Sequence, residues 1–439
     1  MTAFWRQFHG DGPSRGFAPV SSRPAIDPQW RTEVGRVGYA SPVIGPDNTI
    51  YIGTLDDELV AVNPNGSIRW RREIRPGHGR SIISGSPAID NDGNIYLIAT
   101  QATQSVDHRG EDGRRQLKLH STLYSFDPNG NRRWLYHFPT TSSSGYEPGG
   151  FSFSSPKVFS DQETYIFISV RFGTVDFLLE MMVLDQAGEV VHRQEIVKYP
   201  PSPITAGSNI GDILGDIWDF ISSPIDFDVS GVNSGVTPLE ELFGWAEPTI
   251  AIADFSSYEN RPIIVIDDGH KTLAAYRWQD RCLIKLWAKV ASKHRAAASP
   301  AVFTNSTIAQ GQKDGTVALY NLINGQELAK PWFKAGKSVY SPPVSFGRQL
   351  YLVAKQEVIM LDSDLKLLQT FRTIGTSLGA PAISAKYLYV SARDGLWTFN
   401  FDLERVAKNE EFSGGVSSPA ISRDGTVYSM DLNRTLWAF

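Results

Sequence analysis

Short apolar runs alternate with polar turns along most of this chain, and the same arrangement keeps returning. Leu59–Trp70 (LVAVNPNGSIRW) reads as a strand, a tight turn and the start of a second strand. It returns as Leu123–Trp134 (LYSFDPNGNRRW) and, more worn, as Met182–His192 (MVLDQAGEVVH). Leu319–Gly325, Val358–Asp362, Leu396–Asn400 and Leu436–Phe439 carry further echoes. A small residue or glutamate followed by proline opens an earlier apolar run in each unit. These landmarks are Ser41-Pro42, Ser86-Pro87, Ser155-Pro156, Glu247-Pro248, Ser299-Pro300, Ser341-Pro342, Ala380-Pro381 and Ser418-Pro419. Between landmark and Leu-x-x-x-Asp/Asn segment lies a run rich in β-branched residues and tyrosine, such as Ile50-Tyr51-Ile52 or Tyr387–Val390. Runs of this composition, bounded by Gly, Asn, Asp and Pro, predict strands.

Turn chemistry agrees. Asp92-Gly93 and Asp424-Gly425 join first to second strands, and Asp314-Gly315 and Asp394-Gly395 join second to third. Glycine after aspartate accepts a positive φ that a Cβ would oppose. Proline suits the first residue of a strand, where its missing N–H costs least. Each unit is therefore four antiparallel strands, A to D, in roughly forty residues, the size of a propeller blade. Eight landmarks predict an all-β, eight-bladed β-propeller, with residues 1–26 as an arm and 27–439 as one ring. The eighth unit runs out of chain after strand C, and Gln29–Val34 precedes the first landmark as Arg69-Trp70 precedes the second. The N-terminal strand is expected to complete the last blade and remove the open edge.

The segments resemble the PQQ-type (quinoprotein) propeller repeat, A/S-x-D/N-x-x-G-x-x-x-W. Ala61, Asn63, Gly66 and Trp70 match it, as do Ser125, Asp127, Gly130 and Trp134. The pattern does not resemble the WD repeat. Trp5–Asp11 resembles the W-x-x-F-x-G-D segment that often precedes the first blade in such propellers, and Trp5 and Phe8 are expected to pack on the ring. Blade four departs most, since Ala275–Trp278 lacks both the acidic residue and the glycine.

Length alone (439 residues) would suggest two or three domains, and the repeat overrides that prior. A net charge of −5 offers no basic footprint for nucleic acid. The single cysteine, Cys282, excludes an intramolecular disulfide framework and is expected to be buried in blade four. The opening residues lack the basic and apolar regions of a secretory leader, and no apolar run approaches a membrane span. Read this way, the chain is expected to be soluble and cytoplasmic.

Landmark prolines are spaced 45, 69, 92, 52, 42, 39 and 38 residues apart, so the excess chain sits in units two to four. Gln101–His120 lies between strands B and C of unit two and reads as a solvated excursion. It is locally basic through Arg109, Arg114, Arg115 and Lys118. Thr140–Gly150 is a Ser/Gly-rich D–A link. Val197–Ala246 is the longest insertion. Within it Ile210, Ile213, Leu214, Ile217, Trp218 and Ile221 form an apolar stripe at helical spacing, with Ser208 as cap. Thr237-Pro238-Leu239-Glu240 reads as a capping box opening a second short helix. The stripe either folds back onto its own propeller or offers Trp218 and Phe220 to a partner.

Catalytic motifs are missing. The sequence has no H-E-x-x-H and no C-x-x-C, and its eight histidines show no metal-ligand spacing. Asp90–Gly93 reads as a hairpin turn, not a calcium loop. Gly269–Thr272 reads as a strand-to-strand turn. The resemblance itself suggests a quinoprotein dehydrogenase, but members that oxidise alcohols carry a vicinal cysteine pair, which one cysteine excludes. The sequence thus predicts a propeller with no cofactor, no metal and no catalytic residue. Its expected role is a protein-interaction scaffold or accessory subunit, with Ile213, Ile217, Trp218, Phe220, Arg109, Arg114 and Arg115 as partner-binding candidates. The resemblance includes scaffolds of outer-membrane protein assembly, which are lipoproteins, whereas this chain shows no lipidated cysteine. The alternative is an enzyme or ligand binder with its site at the central channel.

Overall fold

A computed structural model describes residues 5–439 apart from 76–80, 107–114, 147–148, 174–176, 200–248, 255–260, 270–271, 291–298, 329–331 and positions 305, 313 and 373. The strands form eight antiparallel sheets. Blade 1 shows the pattern: A Val43–Ile44, B Ile50–Gly53, C Glu58–Val62 and D Ile68–Glu73, paired in that order. In blade 1 strand D alternates between exposed and half-buried residues, whereas B and C are buried almost throughout. In such a meander the A–B and C–D turns lie at one end of the sheet, and the B–C and D–A connections at the other.

Trp30–Glu33 pairs antiparallel with Thr435–Ala438, Trp30 opposite Ala438, as the outer strand of the last blade. No helix occurs among the described residues.

Blades 2 and 3 are larger than the sequence pattern suggests. In blade 2, B (Ile95–Val106) and C (Arg115–Phe126) are twelve-residue strands in continuous register, ending with Val106 opposite Arg115. Most of the predicted excursion at 101–120 is therefore a strand extension, which satisfies its backbone groups by pairing. The ends of the D–A links also join these sheets. Ser81–Ile82 pairs with the extended B of blade 2, and Gly150–Phe151 with B of blade 3.

The repeat signature packs one blade onto the next. Gly66, Gly130, Gly188 and Gly325 sit in C–D turns at φ between 68 and 90°. A Cβ on any of them would meet the indole of Trp30, Trp70, Trp134 or Trp287, respectively, at 2.7–2.8 Å. Each tryptophan belongs to strand D of the preceding blade and donates its indole N–H to a carbonyl of the same turn: Pro64, Pro128, Gln186 or Leu322. At the opposite end, landmark serines bridge neighbours. Ser41 N–H donates to Ser86 Oγ at 2.7 Å, Ser86 N–H to Ser155 Oγ at 2.8 Å, Ala380 N–H to Ser418 Oγ at 2.8 Å and Ser418 N–H to Ser41 Oγ at 2.9 Å.

Candidate functional site: the axis and the insert-bearing face

Strand A is the inner edge of every sheet, so eight edge strands face the axis with unpaired backbone groups. The N-terminal arm covers them, meeting the blades in their own order. The Trp5 carbonyl accepts from Ile44 N–H of blade 1 (2.6 Å) and the Arg6 carbonyl from Ile89 N–H of blade 2 (2.8 Å). The Gln7 side chain accepts from Val158 N–H of blade 3 at 2.9 Å. The carbonyls of Gly12 and Pro13 accept from Ile252 and Val302, in blades 4 and 5. Phe17 packs on Phe346 of blade 6, their ring centres 5.9 Å apart. Gly16 and Val20 accept from Ile383 and Ala385 of blade 7. Ser21 lies so close to Gly425 of blade 8 that a Cβ there would overlap its carbonyl.

Two buried basic side chains fix this circuit. Lys157 occupies the position after the third landmark, where blades 1, 2 and 5 carry valine or alanine. It is 1% exposed, and its ammonium donates to the Phe8 carbonyl (2.8 Å) and Ser14 Oγ (2.8 Å), with the Asp11 carbonyl at 3.3 Å. Burial pushes its pKa down to about 7, partly opposed by Asp11. His9 is fully buried, with Nδ1 2.6 Å from the Ser14 carbonyl and Nε2 3.2 Å from the Pro381 carbonyl. Burial lowers its pKa to about 4 against the pull of those carbonyls, so the ring is neutral at pH 7. Trp5 is buried, as the arm pattern predicts. The charge at position 157, in an otherwise apolar run, was the sequence signal for this site.

The partner-binding candidates fall largely outside the described residues: Ile213, Ile217, Trp218, Phe220, Arg109 and Arg114 all do, as do the two predicted helices. Arg115 opens strand C of blade 2. The roots of the insertions are described. The 107–114 connector is B–C, and the 138–149 and 200–248 links are D–A, so all three leave the sheets at the end opposite the A–B turns. Beside the longest, Tyr199 at the end of strand D of blade 3 donates to Asp268 Oδ2 of blade 4 at 2.6 Å. The adjacent buried Asp267 has its pKa pushed well up by burial and by Asp268.

Cys282 corrects an expectation. It is exposed, because the C–D turn of blade 4 is a tight pair, Asp280-Arg281, at positive φ, and the cysteine begins the outer strand directly after it. Asp90 sits in a turn, as predicted. Its carboxylate accepts from the backbone of Asp92 and Asn94 and from the Tyr96 hydroxyl at 2.8 Å. No group of three or more His, Cys, Asp or Glu side chains able to hold a metal occurs among the described residues.

The sequence matches no protein-family model and no curated protein. Solved structures do resemble it. BamB from Moraxella catarrhalis superposes with a TM-score of 0.58 at 12% identity, over 94% of this chain and 100% of that one. A europium-containing methanol dehydrogenase gives 0.63 at 10% identity, over 98% and 89%. The quinohemoprotein alcohol dehydrogenase from Comamonas testosteroni gives 0.63 at 12%, over 100% and 80%. The fold is that of a PQQ-like β-propeller. At these identities the likeness concerns architecture alone. The Lys157 ammonium at the axis of this PQQ-like propeller is already bound by the arm.

Proposed function

We propose that this propeller is a protein-interaction scaffold or accessory subunit of a larger assembly, docking through the face that carries the insertions of blades 2 to 4. One observation carries the reading: the three longest departures from the minimal repeat all leave the disc at its B–C/D–A end and on adjacent blades. Beneath them, junctions 1/2 and 2/3 are pinned at both ends, by tryptophan on glycine and by serine to serine. A rigid base under long recognition elements lowers the ordering cost of association. Within the insertions, Arg109, Arg114 and Arg115 supply charge, and the stripe bearing Ile213, Ile217, Trp218 and Phe220 supplies apolar area of the kind that anchors interfaces.

The test is co-purification from the native source of the intact chain and of one whose Ser208–Gly244 segment is replaced by a short Gly/Ser linker. A partner that accompanies the first and leaves the second, while the linker form still melts cooperatively, supports docking through the insert. Both forms emerging alone would sink the proposal and bring forward the alternative, an enzyme or ligand binder at the central channel.

A further inference from the structure

We infer that the inner edges of the eight A strands form a ring-shaped binding site for an extended peptide, and that Trp5–Ser21 of this same chain is its resident ligand. Four observations carry this. Ring closure does not use the arm: the last blade is completed by Trp30–Glu33, beyond it in sequence. The arm is not a strand of any blade. It gives successive blades scattered main-chain hydrogen bonds, from Trp5, Arg6, Gly12, Pro13, Gly16 and Val20, and its one bridge to a blade is parallel, Phe17 to Ile383. Recognition is read mainly through carbonyl oxygens, which makes it tolerant of side chains, as in strand addition to a sheet edge. Lys157 supplies the specific element, a buried ammonium whose two 2.8 Å partners both come from the arm, with a third arm oxygen at 3.3 Å. Empty, the site would leave that ammonium and a series of inner-edge amides without these partners.

The tether explains why the site stays filled. Residues 22–26 leave the axis across blade 7, with Tyr389 OH donating to the Arg23 carbonyl, Ala25 N–H to Thr398 Oγ1 and Asn409 to the Ile26 carbonyl. Binding is therefore intramolecular, at a high effective concentration. Ile26, half exposed, marks where the connection can be cut.

The experiment uses the full chain with a specific protease site inserted between Ile26 and Asp27, cleaved after folding. A synthetic peptide of residues 5–26, fluorescently labelled, serves as probe, with a scrambled peptide as control. The cleaved arm should co-elute with the disc and exchange for labelled peptide to one per disc, with no uptake of the scrambled form. Lys157→Met should speed release at least tenfold. If Lys157→Met does not fold, Gln7→Ala in the probe peptide, which removes the contact to Val158, should weaken uptake at least threefold. The inference is overturned if the cleaved arm leaves a cooperatively melting disc that takes up no probe. It is equally overturned if the arm stays and never exchanges, or if neither substitution changes the rate.

Discussion

Two groups of blades in this ring solve one packing problem in opposite ways. In blades 1, 2, 3 and 5 the C–D turn carries glycine at positive φ, and the preceding blade lays a tryptophan on it. In blades 6 and 7 the corresponding turn positions are Leu365 and Leu403, also at positive φ (62 and 56°), with both side chains buried. The residue of blade 6 that takes the tryptophan's register is Gln369, opposite Met360 as Trp70 is opposite Ala61. Bulk has moved from the neighbour's outer strand into the turn. Leucine in the left-handed region costs about 1 kcal/mol in backbone strain, which burial of its side chain, about 2 kcal/mol, offsets. Tryptophan on glycine avoids the strain and adds an indole hydrogen bond across the junction. The signature is lost in blades 6 and 7 because a different solution occupies the same space. The serine contacts vary around the ring independently of the turns: Ser86 and Ser418 hydroxyls accept a neighbour's amide, whereas the buried Ser341 hydroxyl has no partner.

The severest test of this exchange is Gly130→Leu. The new side chain would collide with Trp70 and strain the turn, costing about 3 kcal/mol in chemical unfolding. Adding Trp70→Gln copies the arrangement of blades 6 and 7 and should recover at least about 1 kcal/mol as a coupling energy. Strict additivity would show that the two arrangements are not interchangeable solutions.

The arm crosses blades of both groups, and acid probes it. Folded His9 stays neutral down to about pH 4, whereas an unfolded histidine takes up its proton near 6.5. The unfolded chain therefore binds more protons between those values, so stability falls as pH drops from 6.5 towards 4, by at most about 3 kcal/mol. In His9→Gln that slope should flatten, and an unchanged pH profile would exclude His9 as its source.

Smaller effects separate the serines. Ser86→Ala strands the Ser41 amide and should cost about 1–2 kcal/mol, while Ser341→Ala, which removes an unpartnered hydroxyl, should be neutral or slightly stabilising. Equal costs would break the distinction between paired and unpartnered landmark hydroxyls. Smallest of all, Cys282→Ser should stay within about 0.5 kcal/mol, and a thiol reagent should label the folded wild-type chain at one site; a protected thiol would contradict its exposure.

Blade number, strand composition and hairpin turns were legible in the sequence because they depend on local chemistry: proline at eight strand starts, short apolar runs rich in β-branched residues, and Asp-Gly at four of the turns. The glycine and tryptophan of the signature were legible as a pattern but not as a contact, since the two belong to different blades. Leu365 and Leu403 gave no signal, because leucine at positive φ is decided by the space its neighbour leaves empty. Lys157 was missed: its charge follows a landmark proline where other blades carry valine or alanine, but what it binds lies roughly 150 residues earlier, in the arm. Cys282 was misjudged because exposure at an outer strand depends on where a two-residue turn places it. The chain's own chemistry set the repeating unit. Tertiary structure decided what lies between units and along the axis, because burial, desolvation and the pairing of edge amides arise only once distant segments meet.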